Sequence, residues 1–328
     1  MSKLAGSSKS YHTYVMKRSL IDPRHLTGMK TLLTVMGPTQ VDPQQPFDIT
    51  IGRKASFWNF ARADYQAAYI NHTPTLLDTE DLPMWHSSGL QISSIGGLYE
   101  HPEKIKQDQG HRCATVELVS HTLLWIILRT MNYLASPQQP IVSRQAVWDQ
   151  LSAQLKAWFD CLPAAFQPCA QLRHPALRRR MKHNSTEITP NLSEVFFSIP
   201  LCAATIQLYH FARILLITNK PDPLSGANGN LTSGNITPER SAEALEHAYE
   251  IVGIALARPH PAVRVEMLLP LYVAGTCMAG DNERQIVLEV LRAIELDTGC
   301  TTQGRVRALT KQWGWNNGQV FGPSLGSV

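Results

Sequence analysis

Apolar residues recur at three- and four-residue steps through most of this chain, which is the spacing of one face of an α-helix. The clearest example is the segment 56–70. Its apolar residues are Phe57, Phe60, Ala61, Tyr65, Ala68 and Tyr69. We predict a helix there with Ser56 as its N-cap, because a serine hydroxyl can accept a backbone N–H of the first turn. The preceding residues 37–53 hold three prolines and two glycines, which indicates a loop.

The same spacing predicts eight further helices. They cover residues 26–36, 113–134, 143–161, 193–219, 242–257, 261–280, 282–298 and 303–313. Ser143 is the expected N-cap of the helix over 143–161. We expect Pro200 to kink or split the helix over 193–219, and Pro270 to bend the one over 261–280, because an interior proline removes a backbone hydrogen bond.

Capping residues mark the ends of the C-terminal helices. Thr237 precedes Pro238, which is the usual order of an N-cap and a proline at the first helical position. Gly280 and Gly299 follow helical segments, and glycine is the residue that most often ends a helix. These residues delimit the helical segments of the C-terminal third, which is the most regular part of the sequence.

No segment alternates apolar and polar residues for long between turn signals, so the sequence calls for no strands. The predicted fold class is all-α, a multi-helix array. We expect a flexible N-terminal segment over residues 1–23, one helical domain over 24–316 and a tail over 317–328. Two long connections interrupt the array, a basic one at 170–192 and a glycine- and proline-containing one at 221–235.

The composition places the chain among folded proteins. It has 328 residues, of which 44% are hydrophobic and 17% charged, and disorder requires the opposite balance. A net charge of +4 is too small to predict nucleic-acid binding. The longest apolar runs, Leu123–Leu128 and Leu268–Met278, are too short to span a bilayer, so we expect no membrane partner. The six cysteines form no Cys-x-x-Cys pair, and we expect reduced, largely buried thiols.

The motifs of catalysis are missing or lack their context. Asp297-Thr298-Gly299 has the tripeptide of aspartic proteases, but the sequence holds no second copy to pair with it. The Gly-x-Ser-x-Gly run at 322–326 has only two residues after it, too few for the helix of a nucleophile elbow. The histidines are scattered without metal-ligand spacing. We therefore assign no catalytic, cofactor-binding or metal-ligating residue and no cofactor.

A short basic run lies in the connection 170–192. It consists of Arg178, Arg179, Arg180 and Lys182. Such a run is typical of a nuclear-import patch or a phosphate contact, and equally of a solvated loop.

Two stretches carry a more specific pattern. The first runs from Ser56-Phe57-Trp58-Asn59-Phe60-Ala61-Arg62-Ala63-Asp64-Tyr65 to Thr75-Leu76-Leu77-Asp78 and Pro83-Met84-Trp85. The second runs from Leu268-Leu269-Pro270-Leu271-Tyr272-Val273-Ala274-Gly275 through Glu283-Arg284 and Ile294-Glu295-Leu296-Asp297-Thr298-Gly299 to Trp313-Gly314-Trp315. In this order the two stretches, over roughly residues 24–316, resemble the fungal-specific transcription factor domain, the C-terminal regulatory body of binuclear zinc-cluster transcription factors.

We call the most distinctive positions of these stretches the signature residues. They are Trp58, Arg62, Asp64, Asp78, Trp85, Glu295, Asp297 and Trp313. The resemblance implies an all-α regulatory body in a fungal nucleus, often associated with biosynthetic gene clusters. Each signature residue has either a structural role or a contact with a ligand or partner. Arg62 and Asp64 are two residues apart and point in different directions on a helix, so each needs its own partner.

The chain departs from this family in one respect. Family members usually carry an N-terminal zinc cluster of six closely spaced cysteines, whereas here the cysteines are dispersed from Cys113 to Cys300. The leading hypothesis is a regulator of (secondary-metabolite) gene expression without its own zinc-cluster DNA reader. It would act in the nucleus, with the cytoplasm as the alternative, through a transcription factor or co-regulator or through a small-molecule effector.

Two other hypotheses remain open from the sequence. The helical fold could serve as a secondary-metabolism enzyme of the cyclase or isomerase type, because a helical interior can hold an apolar ligand with few polar anchors. The chain could also be a shortened gene product whose upstream part encodes the zinc cluster.

Overall fold

Helices form most of the regular structure in this computed structural model, which describes residues 26–28, 30–31, 51–90, 109–173, 192–222 and 237–315. Residues 26–28 and 30–31 are helical. The longer elements are α1 (Ile51–Asn71), α2 (Leu82–Ser87), α3 (Gln109–Ala135), α4 (Ile141–Asp160), β1 (Ala170–Arg173), β2 (Ser193–Phe196), α5 (Pro200–Thr218), α6 (Pro238–Leu256), α7 (Pro261–Arg264), α8 (Leu268–Cys277), α9 (Asp281–Thr298) and α10 (Gln303–Gln312). The predicted all-α class is confirmed.

Two predicted N-caps, Ser56 and Ser143, are wrong. Helix α1 is already helical at Ile51, so Ser56 lies inside the helix and the loop prediction for 51–53 fails. Between Ile51 and Ser56 only Gly52 disfavours a helix, and the last proline before them is Pro46. Helix α4 begins after Pro140, whose side chain makes no cap hydrogen bond, and Ser143 lies in its first turn. A serine inside a helix turn is tolerated, so its position alone does not fix a boundary.

A two-stranded sheet corrects the prediction that the chain has no strands. β1 pairs antiparallel with β2, from Ala170 opposite Phe196 to Arg173 opposite Ser193. Helix α5 then begins at Pro200 rather than at Ser193, because proline fits the first turn, where its missing N–H is not needed. Four residues of strand are too few to give a readable alternation, and the pairing joins segments far apart in sequence.

Helix α5 forms the centre of the array. It contacts α3, α4, α6 and α8, and most of its residues are buried. It is the one helix in the described ranges long and apolar enough to cross a membrane, but most of it is enclosed by the protein. Because other elements surround this helix on all sides, all of its faces are apolar.

Local capping residues mark one start and one end among the C-terminal helices. The hydroxyl of Thr237 accepts the N–H of Arg240 at the start of α6, as predicted, and Gly299 ends α9 in the left-handed conformation at φ 72°. The predicted helix 261–280 is broken between α7 and α8. Pro270 therefore lies in the first turn of α8 and does not bend a continuous helix.

The core is a continuous cluster that joins helices from both halves of the chain. Its largest fully buried side chains include Trp85, Trp125, Tyr65 and Phe211. The expectation of largely buried cysteines holds only in part, since Cys202 is buried while Cys161 and Cys169 are exposed. Both exposed thiols follow helix α4, where the chain runs over the surface.

Candidate functional site

Asp64 lies on α1 and holds the loop that follows the helix. Its two carboxylate oxygens accept the backbone N–H groups of Leu76 and Leu77, each at 2.8 Å. The side chain is buried, and this burial raises the pKa of Asp64, while the two N–H donors act in the opposite direction. The carboxylate thereby satisfies two backbone donors that the loop brings into the interior.

Three tryptophans donate their indole N–H groups to the backbone of this region, two to the loop after α1 and one to the residue that follows α2. Trp85 donates to the carbonyl of Asp78 at 2.9 Å, and Trp58 donates to that of Ser88 at 3.2 Å. Trp125 donates to the carbonyl of Thr79 at 3.1 Å. All three rings are buried, so each combines core packing with a partner for its one polar atom. Asp78 itself is exposed and accepts the N–H of Glu80.

Arg62 points to a different partner from Asp64. Its guanidinium pairs with Glu266 at 3.1 Å, which ties α1 to the segment between α7 and α8. Nearby, the ring of His121 stacks on Trp58 with centroids 3.8 Å apart. Burial and, secondarily, Arg62 lower the pKa of His121 to about 3. His121 is therefore a neutral part of the packing at neutral pH.

The C-terminal signature residues make equivalent contacts around α9 and α10. Glu295 accepts the backbone N–H and the hydroxyl of Thr302, at 3.0 and 2.6 Å. Asp297 pairs with Arg258 at 3.1 Å and with the buried Arg264. The indole of Trp313 donates to the carbonyl of Gly275 at 3.1 Å. Each contact joins a helix end to a neighbouring segment.

The structure does not bring the signature residues together into one cavity. One group surrounds the loop after α1, Glu295 and Asp297 lie at the end of α9, and Trp313 packs near the start of α9 against Arg284. Their polar atoms point to backbone groups or to internal ion pairs. The basic run Arg178, Arg179, Arg180 and Lys182 lies outside the described residues. In the parts of the chain that the structure describes, no group of three or more His, Cys, Asp and Glu side chains is arranged to hold a metal ion.

One cavity, which we call the central cavity, opens between α1, α3, α5, α6, α8 and α10. Its volume is about 490 Å³, and Tyr69, His72, Thr276 and Cys277 are among its lining residues. Burial raises the pKa of Tyr69 and of Cys277. The phenol and the thiol therefore stay neutral, so this cavity suits an uncharged, largely apolar ligand.

A second cavity, which we call the lateral cleft, has a different chemistry. Its volume is about 410 Å³, and it lies between the end of α4, the two strands, α5 and α6. The residues that define it are Phe159, Phe166, Phe197, His210, His247, Glu246 and Glu250. His210 and His247 face each other with their Nδ1 atoms 2.8 Å apart.

Sequence reasoning missed the polar residues of the lateral cleft. His210 and His247 are 37 residues apart, and no ligand-type spacing links them. The only local signal is the spacing of Glu246, His247 and Glu250, which puts all three on one face of α6. His210 lies in the middle of an apolar helix, where a single histidine gives no indication of its partner.

Comparison with known proteins gives one relative. The chain is 32% identical over 321 residues to the protein named transcription activator AMTR1 of the fungus Alternaria alternata. The matched part is 88% of this chain and 41% of that protein, so the chain spans about two-fifths of the relative's length. No family model matches the chain, and no solved structure matches it. The similarity is therefore to part of a protein named as a transcription activator.

Proposed function

We propose that this chain is the regulatory body of a fungal transcription regulator and that it acts in the nucleus. The observation that carries the proposal is the 32% identity, over 88% of the chain, to a transcription activator. The family resemblance of the signature residues supports the same assignment. Their contacts, such as those of Asp64 with Leu76 and Leu77, suit residues that maintain the fold of such a body.

The regulatory output in this proposal passes through protein or small-molecule contacts. The chain does not read DNA by itself, because its six cysteines are dispersed from Cys113 to Cys300 and a zinc-cluster module needs closely spaced ligands. A transcription factor or co-regulator supplies the DNA contact. The regulated genes are those of secondary metabolism.

A fusion experiment tests the regulatory role. The chain is joined to an unrelated DNA-binding domain in a fungal host, and transcription of a reporter with the matching binding site is measured. We expect the reporter to change relative to the DNA-binding domain alone, because the body recruits its partner to the promoter. A folded, nuclear fusion that leaves the reporter unchanged would contradict the proposal.

Salt-dependent DNA binding of the purified chain, with and without added zinc, tests the absence of a DNA reader. We expect only a weak electrostatic background that disappears as salt is raised. Specific binding that requires zinc would overturn this part of the proposal while leaving the regulatory role intact.

The central cavity favours a second candidate, a secondary-metabolism enzyme of the cyclase or isomerase type. Its volume of about 490 Å³ lies in the range of ligand pockets, and Tyr69 and His72 provide polar groups on its wall. The discriminating measurement is to incubate the chain with an apolar ligand that the cavity binds and to compare the mass of the ligand before and after by mass spectrometry. Recovery of the ligand unchanged favours the regulatory reading, and turnover that is lost in Tyr69→Phe favours the enzyme.

A further inference from the structure

The lateral cleft combines aromatic walls with paired histidines and carboxylates. Phe166 is buried, whereas Phe159 is 40% exposed, so one ring closes the cleft and another is accessible at its edge. The ring of Phe159 stacks on Tyr209 with centroids 4.5 Å apart. An exposed aromatic face held by stacking is a surface on which a cation or a second ring can lie.

The two histidines form a neutral hydrogen-bonded pair. Their Nδ1 atoms are 2.8 Å apart, so one Nδ1 carries the proton and the other accepts it. Burial, with smaller contributions from the neighbouring histidine and Arg213, lowers the pKa of His210 to about 3. Burial and Arg213 lower that of His247 to about 4. Both rings are therefore uncharged at neutral pH.

The tautomers of this pair determine what it offers to a ligand. The ring that donates through Nδ1 keeps a lone pair on Nε2, and the ring that accepts through Nδ1 carries its proton on Nε2. Among the residues that the structure describes, no group hydrogen-bonds to either Nε2 atom. The pair thus contributes one acceptor and one donor to the wall of the cleft.

Glu250 gives the cleft its charge. Its side chain is partly buried, and burial raises the pKa of Glu250, which means that its carboxylate is poorly solvated. The nearest cation of α5, Arg213, is already paired with Glu243 at 2.8 Å. No described cation pairs with Glu250, and Glu246 adds a second carboxylate at the exposed edge. A poorly solvated carboxylate is stabilised by a cation that approaches it.

From these contacts we propose that the lateral cleft binds a small organic cation, a protonated amine carried on an apolar or aromatic body. The amine pairs with Glu250 and donates to the free Nε2 acceptor of the His210–His247 pair. The apolar body packs between the phenylalanine rings, with Phe159 over the charged end. An anionic ligand is disfavoured because Glu246 and Glu250 face the same space.

This site would receive a small-molecule effector of the regulator, and that role rests on the proposed function. Binding itself does not rest on it, because binding is measured on the purified chain alone. A chain that binds amines but leaves the reporter unchanged would keep the site and reject the regulatory role. A chain that changes the reporter but binds no amine would keep the regulatory role and reject the site.

Isothermal titration calorimetry of the full chain with three matched probes tests the site. Phenethylamine, 2-phenylethanol and 3-phenylpropanoate share a phenyl ring and a two-carbon chain, and they end in a cationic, a neutral and an anionic group. We expect phenethylamine to bind with a Kd of about 1 mM or below, which is ordinary for so small a ligand. The alcohol and the acid should bind at least about tenfold more weakly.

Two variants locate the binding. Glu250→Gln keeps the shape of the side chain and removes its charge, so it should weaken phenethylamine binding about tenfold. Glu289→Gln removes one negative charge at an exposed position of α9 and should leave the affinity unchanged. Equal binding of the three probes, or a Glu250→Gln variant that binds phenethylamine as tightly as wild type, would overturn the proposal.

Discussion

At the scale of single residues, Asp64 determines the path of the loop that follows α1. The loop turns its backbone N–H groups at Leu76 and Leu77 toward Asp64, where the one at Leu77 is buried and the one at Leu76 half-buried. A buried backbone donor without a partner costs about as much as a lost hydrogen bond. One carboxylate therefore replaces the solvent for two peptide groups, and the indoles of Trp85 and Trp125 bind the loop carbonyls of Asp78 and Thr79.

Asp64→Ala should lower the free energy of unfolding by about 2–4 kcal/mol, because it leaves the buried donor of Leu77 and the half-buried donor of Leu76 unpaired. Urea denaturation followed by circular dichroism measures the change. Asp78→Ala is the matched control, since Asp78 is exposed and accepts a single local N–H; its cost should stay below about 1 kcal/mol. Equal losses for the two variants would show that Asp64 does not have this role.

At the scale of elements, the contact between α6 and β2 requires a helix position without a side chain. A Cβ atom at Gly253 would lie 2.3 Å from the carbonyl oxygen of Ser193 and 3.2 Å from the Cγ2 of Val195. The oxygen belongs to the backbone of the strand and cannot move aside alone. The close approach of the two elements brings β2 against the face of α6 that carries Glu246 and Glu250.

Gly253→Ala should destabilise the protein by about 1–3 kcal/mol, because the helix and the strand must separate to admit the methyl group. Gly52→Ala on α1 is the control, since nothing lies within 4 Å of its added Cβ, and alanine is the better helix former, by up to about 1 kcal/mol. The two variants should shift the urea midpoint in opposite directions. A stabilising Gly253→Ala would contradict the packing described for α6 and β2.

At the scale of the whole molecule, buried neutral histidines link stability to pH. Burial lowers the pKa of His121, His210 and His247 to about 3, 3 and 4, whereas an unfolded histidine has a pKa near its ordinary value of about 6.5. Between these values the unfolded chain binds more protons than the folded one. Stability is therefore fully present above about pH 6.5 and is lost as the pH falls toward 4.

The free energy of unfolding should decrease from pH 7 to pH 5, by up to about 1.4 kcal/mol per pH unit for each such histidine. Carboxyls with a raised pKa, such as Glu250 and Glu266, act in the opposite direction, but they are common to wild type and variant. His247→Phe removes one histidine and should make the decrease shallower. Denaturant unfolding at the two pH values checks both slopes, and identical slopes would indicate that His247 is protonated in the folded protein.

The sequence by itself determined the helical class and two ends of the C-terminal helices, the start of α6 after Thr237 and the end of α9 at Gly299, whereas Gly280 begins α9 and does not end the helix before it. Those features depend on local chemistry: the apolar spacing of a helix face, the hydroxyl of Thr237 and the left-handed conformation that Gly299 adopts without steric cost. The starts at Ser56 and Ser143 were misplaced because a serine in the first turns of a helix is as acceptable as one at the cap. The local preference of serine therefore does not show whether it lies at the N-cap or inside the first turns.

Only the tertiary structure decided the strands, the partners of the signature residues and both cavities. β1 meets β2, His210 meets His247 and Asp64 meets the loop at Leu76 through contacts between residues that are distant along the chain. Such contacts depend on how the faces of whole helices pack. A sequence pattern predicts which face of a helix is apolar, but it does not predict which element packs against that face. The lateral cleft therefore became visible only when α5 and α6 were placed side by side.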